Sequence, residues 1–415
     1  MPFPDRSRAV DDVIAELDAK RSGDVRWQDG RAFSLVYSGG PVAHQAAERA
    51  ALLFLHENAL NTRAFPSLGA IQAEVVGWTA DLFHAPAEAA GFLTSGGTES
   101  ILCAVLAARE RARTERGIAA PQMVVAESAH AAFHKAAHLF GVRLVKTPVG
   151  ADWRADVAAM AAAVTPDTVL LVGSAPQYPQ GLVDDIPAIA ALADAASANC
   201  HVDACMGGFV LPFAERLGRG VPPWDFRVPG VTSISADIHK LGYAPKGVSV
   251  ILHRSRKLRA HQTFVTDDWL GGLYATPNLQ GTRPGMPMAA AWAVIQTLGM
   301  QGYLELTAAA LGAADRMRAT IAATPGLRVL GDGAFHIVAM AADPASEAPL
   351  DVFALGDAMA ARGWLHDRQA PPDTLHSTVS YGNEAAMDDW ARDFAECAAA
   401  ERRTADRSTS YATLE

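Results

Sequence analysis

The segment SISADIHKLGYAPKG reads as a strand that stops just before the pair His239-Lys240, followed by a loop holding Gly242, Pro245 and Gly247. A lysine there is poorly placed as a solvated surface charge and well placed for a Schiff base with an aldehyde cofactor. Standing alone it would be read as structural, so its neighbours decide. Asp203 ends the apolar run CHVDA, at the carboxyl edge of a sheet where α/β proteins bind their ligands. An acid at that point can hydrogen-bond a pyridinium nitrogen and keep it protonated, which makes the ring an electron sink. Upstream, TSGGTES opens a helix. Its glycines, Gly96 and Gly97, let backbone N–H groups approach an anion, and a helix N-terminus adds about half a positive charge. His130 follows the run VVAES at the start of another helix, where it can stack on a flat ring. An anion cradle, a ring stacker, an acid and a lysine, in this order on successive strand ends, are what pyridoxal 5′-phosphate requires. Each part is weak alone; the combination is specific.

The segments SGGTES, AHAAFHKAA, APQYPQG, HVDACMGGF, SISADIHKLGYAPKG and DWLGGLYATPNLQGTRPG resemble the fold-type I, group II decarboxylase family of pyridoxal 5′-phosphate enzymes. Within that family they look like the sphingosine-1-phosphate lyase branch. The resemblance runs from about Tyr37 to Arg283 and weakens beyond. It implies that Lys240 carries the cofactor as a Schiff base, that Asp203 pairs with the pyridine nitrogen and that His130 stacks on the ring. Gly96, Gly97, Thr98 and His239 would hold the phosphate. Gly281 and Thr282, in GTRPG, would reach it from a second subunit, which implies a homodimer with shared active sites. Lys246, Tyr37 and Tyr178 resemble substrate-side residues and, with Lys240, are the candidates for proton transfer. Asn58, Asn61 and Arg283 fall at the substrate end. The implied activity is retro-aldol cleavage of a long-chain base phosphate, such as sphingosine 1-phosphate, to a fatty aldehyde and phosphoethanolamine. The alternative on the same scaffold is an L-amino-acid decarboxylase. A non-catalytic scaffold is a third reading, and intact Lys240, Asp203 and His130 argue against it.

Two positions depart from the branch's pattern. Its Asn-Pro-Leu-His reads Asn58-Ala59-Leu60-Asn61 here, and its Pro-His-Gly reads Pro179-Gln180-Gly181. Both changes remove a group that can be cationic, which bears on how a substrate phosphate is recognised.

The elements that must position these residues alternate. Short apolar runs (MVVAES, RLVKTPV, TVLLVGSA, CHVDA, VTSISAD, VSVILH) are separated by helical stretches such as the one Thr98 is placed to cap, HAAFHKAAHLF and IPAIAALADAAS. That rhythm predicts βαβ units and an α/β fold with a mostly parallel, seven-stranded-type sheet covered by helices. Past Pro287 a long Ala-rich helical stretch leads into LRVLG, FHIVAMA, DVFALGDAMAARG, HSTVSY and DDWARDFAECAAAERR, a smaller α+β domain. The division expected is an N-terminal helical segment over 1–60, a large cofactor-binding domain over 61–286 and a C-terminal domain over 287–415. The polar tail TADRSTSYATLE reads as frayed.

Composition bounds the rest. Of 415 residues, 50% are hydrophobic and 19% charged, enough for a large core and too apolar for disorder. The net charge is 35 − 45 = −10, which argues against nucleic acid or an anionic membrane as partner. Cys103, Cys200, Cys205 and Cys397 show no metal or disulfide spacing and read as buried thiols of a reducing compartment. The strongest apolar run, Ala50 to Leu55, is far short of the roughly 20 residues that span a bilayer. A cytoplasmic enzyme without a membrane anchor is expected. His130, His134 and His138 share a helical face but lack a carboxylate partner, so no metal is assigned. Asp184 and Asp185 are expected to cap the next helix, Asp267 and Asp268 to border a partner's site, and Trp224 and Trp364 to pack.

Overall fold

The computed structural model describes residues 3–400, 407–409 and 411–412. Three helices come first: α1 (Val10–Ala19), α2 (Gly40–Leu53) and α3 (Pro66–Leu82). The large domain then runs β1 (Ala90–Thr94), α4 (Gly97–Arg116), β2 (Gln122–Ala126), α5 (Ala132–Phe140), β3 (Arg143–Thr147), α6 (Val157–Ala163), β4 (Thr168–Ser174), α7 (Ile186–Ala195), β5 (Asn199–Asp203), α8 (Leu211–Arg216), β6 (Val231–Ala236) and β7 (Ser249–His253). After α9 (Arg256–Ala260) comes a small hairpin, β8 (Phe264–Thr266) and β9 (Tyr274–Thr276). Next are α10 (Gly285–Ala322), β10 (Leu327–Val329), β11 (Ile337–Ala342), α11 (Val352–Ala360), β12 (Asp367–Gln369), β13 (Thr374–Thr378) and α12 (Met387–Ala399).

The large sheet has seven strands in the order β1-β7-β6-β5-β4-β2-β3. Only β7 is reversed, pairing antiparallel with both β1 and β6. β2, β4 and β5 are buried along their whole length because helices cover both faces. The carboxyl ends of the parallel strands therefore open on one edge, and the ends of β1, β2, β4, β5 and β6 or the loops that leave them carry candidate residues. The second sheet is antiparallel, β10-β11-β13-β12, with its own core of Phe33, Met317, Phe353, Trp364, Trp390 and Phe394. Phe33 belongs to the N-terminal segment: its amide donates to Leu365 O and its carbonyl accepts from Thr378 N. The long helix α10 breaks at Gly299, whose φ of 55° only glycine adopts freely there.

Several sequence expectations change at this level. Thr98 does not cap α4; Gly96 stands at the cap position without a side-chain hydrogen bond, and Glu99 instead accepts the Ser95 amide at 2.6 Å. Asp185 caps α7 through Ala188 N, but Asp184 accepts Ala155 N and Ser174 N and so ties β4 to the segment before α6. Among the described tail residues the expectation of fraying fails. Arg407 pairs with Asp351 and Asp373 at 2.7 Å, and Tyr411 packs into the site described next. The helical expectation for residues 401–403 lies outside the described residues. Strands β1 and β12 and the β8–β9 hairpin carried no strong signal and were not anticipated.

Candidate active site

Lys240 sits in the turn after β6, and Asp237 faces it with Oδ2 2.9 Å from Nζ. Burial disfavours the Lys240 ammonium, but the Asp237 carboxylate outweighs it and holds the amine's pKa above its usual value. Burial likewise opposes the charge on Asp237, and Lys240 with His239 overrides it, so this carboxyl is held well below its ordinary range. Ser249 Oγ donates to Asp237 Oδ1 at 2.5 Å, and His239 Nε2 stands 3.6 Å from Oδ2. The turn is tight: a Cβ on Gly242 would lie 2.5 Å from Ile238 O.

Asp203, at the end of β5, is 6% exposed. Its Oδ1 accepts from Cys205 N at 3.1 Å and from Ser235 Oγ at 3.3 Å. Two residues earlier on the same strand, His201 is held neutral by burial between the hydroxyls of Ser233 and Ser235. His130 starts the turn into α5; its Nδ1 accepts from Ala132 N at 3.1 Å and burial lowers its pKa. Its Nε2 lies 3.2 Å from the Tyr411 hydroxyl.

The glycine turn before α4 completes this edge. A Cβ on Gly97 would come within 2.8 Å of both Asp237 Oδ1 and Cys205 Sγ, and one on Gly96 within 3.2 Å of His239 Cε1. Backbone amides at the start of a 20-residue helix are thus brought against the strand ends that carry Lys240 and Asp203. On the open side, Lys246 Nζ donates to His239 O at 2.9 Å and lies 4.7 Å above the Tyr37 ring. Lys246 is exposed as a residue, yet burial of its amine, and then Lys240, bring its pKa down to about 8. Burial pushes the Tyr37 hydroxyl up to about 12. Tyr178, on the loop after β4, donates its hydroxyl to Asp367 Oδ2. A cleft of about 810 Å³, lined by His130, Tyr178, Trp153, Asp367 and Tyr411 among others, leads outward from here.

The structure thus gathers Lys240, Asp203, His130, Gly96, Gly97, Thr98, His239, Lys246, Tyr37 and Tyr178 on one edge. The remaining candidates form a separate cluster. Arg283 donates to Gln72 Oε1 at 2.7 Å and to Ala59 O at 3.0 Å. Asn58 and Asn61 accept from the backbone of their own loop, at Leu60 N and Arg63 N. Gly281 and exposed Thr282 lie on the adjoining loop, beside Tyr274 of the hairpin. His134 and His138 are exposed, and Trp224 and Trp364 are core residues. Among the described residues no group of three metal-ligating side chains converges. Four residues were not singled out beforehand: Asp237, Ser235, Asp367 and Tyr411. Only Asp237 had a local signal, an acid three positions before the lysine at a strand end.

Pyridoxal 5′-phosphate fits these residues. A buried amine and a buried carboxylate stand on neighbouring strand ends, and a glycine cradle that no side chain could enter faces them from a helix N-terminus. Fold and site together define a fold-type I pyridoxal 5′-phosphate enzyme. The pyridoxal-dependent decarboxylase conserved domain matches residues 9–341, and the chain belongs to that family. Within the family it is sphingosine-1-phosphate lyase-like. The lyase of that name from Oryza sativa subsp. japonica is 39% identical over 389 residues, spanning 92% of this chain and 71% of the relative. The structure of the sphingosine-1-phosphate lyase of Burkholderia pseudomallei superposes with a TM-score of 0.91 at 40% identity, covering 96% of this chain and 92% of that one. A Pyrococcus furiosus protein named as a probable L-aspartate decarboxylase is 33% identical over 338 residues, 81% of this chain and 89% of its own.

Proposed function

We propose that this protein is a carbon–carbon lyase that cleaves a long-chain base phosphate, such as sphingosine 1-phosphate, to a fatty aldehyde and phosphoethanolamine. The observation that carries this reading is the second lysine. Lys246 Nζ lies over the Tyr37 ring and against His239 O, and burial brings its pKa down to about 8. A retro-aldol cleavage needs a base for a hydroxyl proton, and a base is most effective with a pKa near the operating pH.

Bound pyridoxal 5′-phosphate, with its ring nitrogen protonated, accepts the electrons released when the bond to the amine-bearing carbon breaks. Lys240 would bind the cofactor and Asp203 would keep a proton on the ring nitrogen. Gly96, Gly97, Thr98 and His239 would hold the phosphate, and His130, kept neutral by burial, would pack against the ring. Unprotonated Lys246 would remove the substrate's hydroxyl proton. Tyr37, whose phenol burial keeps protonated, would donate a hydrogen bond to the substrate, and Tyr178, whose proton goes to Asp367, would accept one from it. The hairpin residues Phe264, Val265, Trp269, Leu270 and Leu273 are exposed. Exposed apolar side chains gathered on one hairpin support a homodimer, in which Gly281, Thr282, Asn58, Asn61 and Arg283 would serve the partner's site. Four buried free thiols support a cytoplasmic location. No helix among the described residues is long and apolar enough to cross a membrane.

Amino-acid α-decarboxylation is the second reading, favoured by the Pyrococcus relative. The test records the visible spectrum with and without borohydride, then assays sphingosine 1-phosphate beside a panel of amino acids. Long-chain aldehyde and phosphoethanolamine, lost in Lys240→Ala, are expected. Carbon dioxide from an amino acid without any aldehyde product would sink the lyase reading.

A further inference from the structure

We propose that Asp367, a residue of the C-terminal sheet, is a positioning residue that fixes the Tyr178 hydroxyl in the active site. The inference rests on the reading of Tyr178 as a substrate-side residue. Each carboxylate oxygen of Asp367 takes one hydroxyl donor: Oδ2 accepts from Tyr178, and Oδ1 from Ser34 Oγ at 3.0 Å. Three distant segments therefore meet at one side chain. Asp367 pairs with His376 across β12 and β13. The His376 ring lies 4.1 Å from the Tyr178 ring, and its Nδ1 is 3.3 Å from Pro179 O. The same sheet thus holds Tyr178 by its ring, its hydroxyl and the next carbonyl.

The groups facing Tyr178 are Asp367, His376, Tyr37 and Tyr411. Burial keeps His376 neutral. Burial also raises the Tyr178 pKa, and the negative charge of Asp367 raises it further. A charged acceptor makes a stronger, more directional hydrogen bond than a neutral one. Tyr178 thus presents its phenol protonated and in one orientation, with the oxygen's lone pairs left for a ligand. Asn at 367 would keep the shape and remove the charge.

The test compares holoenzyme variants Asp367→Asn, Asp367→Glu, Tyr178→Phe, Ser34→Ala and the double Tyr178→Phe/Asp367→Asn. Asp367→Asn should lower kcat about tenfold with little change in KM, the size expected from one charge-assisted hydrogen bond. Asp367→Glu should recover most of kcat, and the double variant should be no worse than Tyr178→Phe. A parental kcat in Asp367→Asn, or losses that multiply in the double variant, would overturn the proposal. Inactive Tyr178→Phe beside a parental Asp367→Asn overturns the proposal and leaves the site reading standing. A fully active Tyr178→Phe overturns both. Should Asp367→Asn fail to fold, Ser34→Ala decides: a several-fold loss of kcat supports the proposal and unchanged kinetics refute it.

Discussion

Asp237 lies three residues before Lys240 and holds a carboxylate oxygen 2.9 Å from its Nζ, in the turn that leaves β6. Asp237 is buried and the Lys240 side chain is only 15% exposed, so water screens the pair weakly. Removing one partner of such a pair costs on the order of 3–5 kcal/mol, mostly the price of the charge left behind. Asp237→Asn should therefore destabilise the apoprotein by about that amount in a urea titration. The double variant Asp237→Asn/Lys240→Met should recover much of it. Equal instability in the single and double variants would contradict the pairing.

Lys246 sets an expectation for pH. As a base it works only unprotonated, and its pKa is about 8. Activity should rise as pH passes upward through about 8 and be small well below it. Lys246→Met should lower kcat and abolish that limb, whereas Lys246→Arg should keep the charge and lose the activity. A rate that is flat between about pH 6.5 and 9 would exclude this role.

Gly97 offers a steric test. Ala there would place a methyl 2.8 Å from Asp237 Oδ1 and Cys205 Sγ, both in the buried floor of the site. Gly97→Ala should lose cofactor on dialysis, read as loss of visible absorbance. Gly77, in α3, has nothing within 4 Å of a new Cβ. Gly77→Ala should keep its cofactor and gain roughly 0.5–1 kcal/mol from helix propensity.

Buried histidines make the fold sensitive to acid. Burial lowers His201 and His253 to about 4 each. Between the ordinary histidine value and 4, the unfolded chain binds protons that the folded one refuses, so stability falls as pH falls through that window. Each depression is worth at most about 3 kcal/mol. Urea midpoints should drop between about pH 7 and 5, and His201→Asn should shallow the slope. A midpoint independent of pH over that range would count against neutral burial.

Much of the site was legible because its signals are local. Lys240, Asp203 and His130 each follow an apolar run, and alternation of runs with helices places run ends on one sheet edge. Asp237 was passed over although it adjoins the lysine, since an acid at a strand end reads equally as a turn residue. Asp367 and Tyr411 had no local signal; their partners are 189 and 281 residues away in sequence. β12 is three residues long, too short for periodicity. The reversal of β7 was hidden too, because a buried strand has the same composition in either direction. Thr98 is a good cap by type, but α4 starts one residue before it, and the Ser100 amide it would have capped already donates to Gly96 O.

The pairing of Phe33 with Leu365 and Thr378 has a further consequence, for the order of synthesis. The stretch around Phe33 leaves the ribosome 365 − 33 = 332 residues before Leu365. Contacts this far apart in sequence form late, because loop closure must come first. Until those partners are made, the apolar side of this segment has no surface to cover it. The nascent chain therefore carries an open seam throughout that interval, and a chaperone that shields the segment around Phe33 should raise the yield of folded protein.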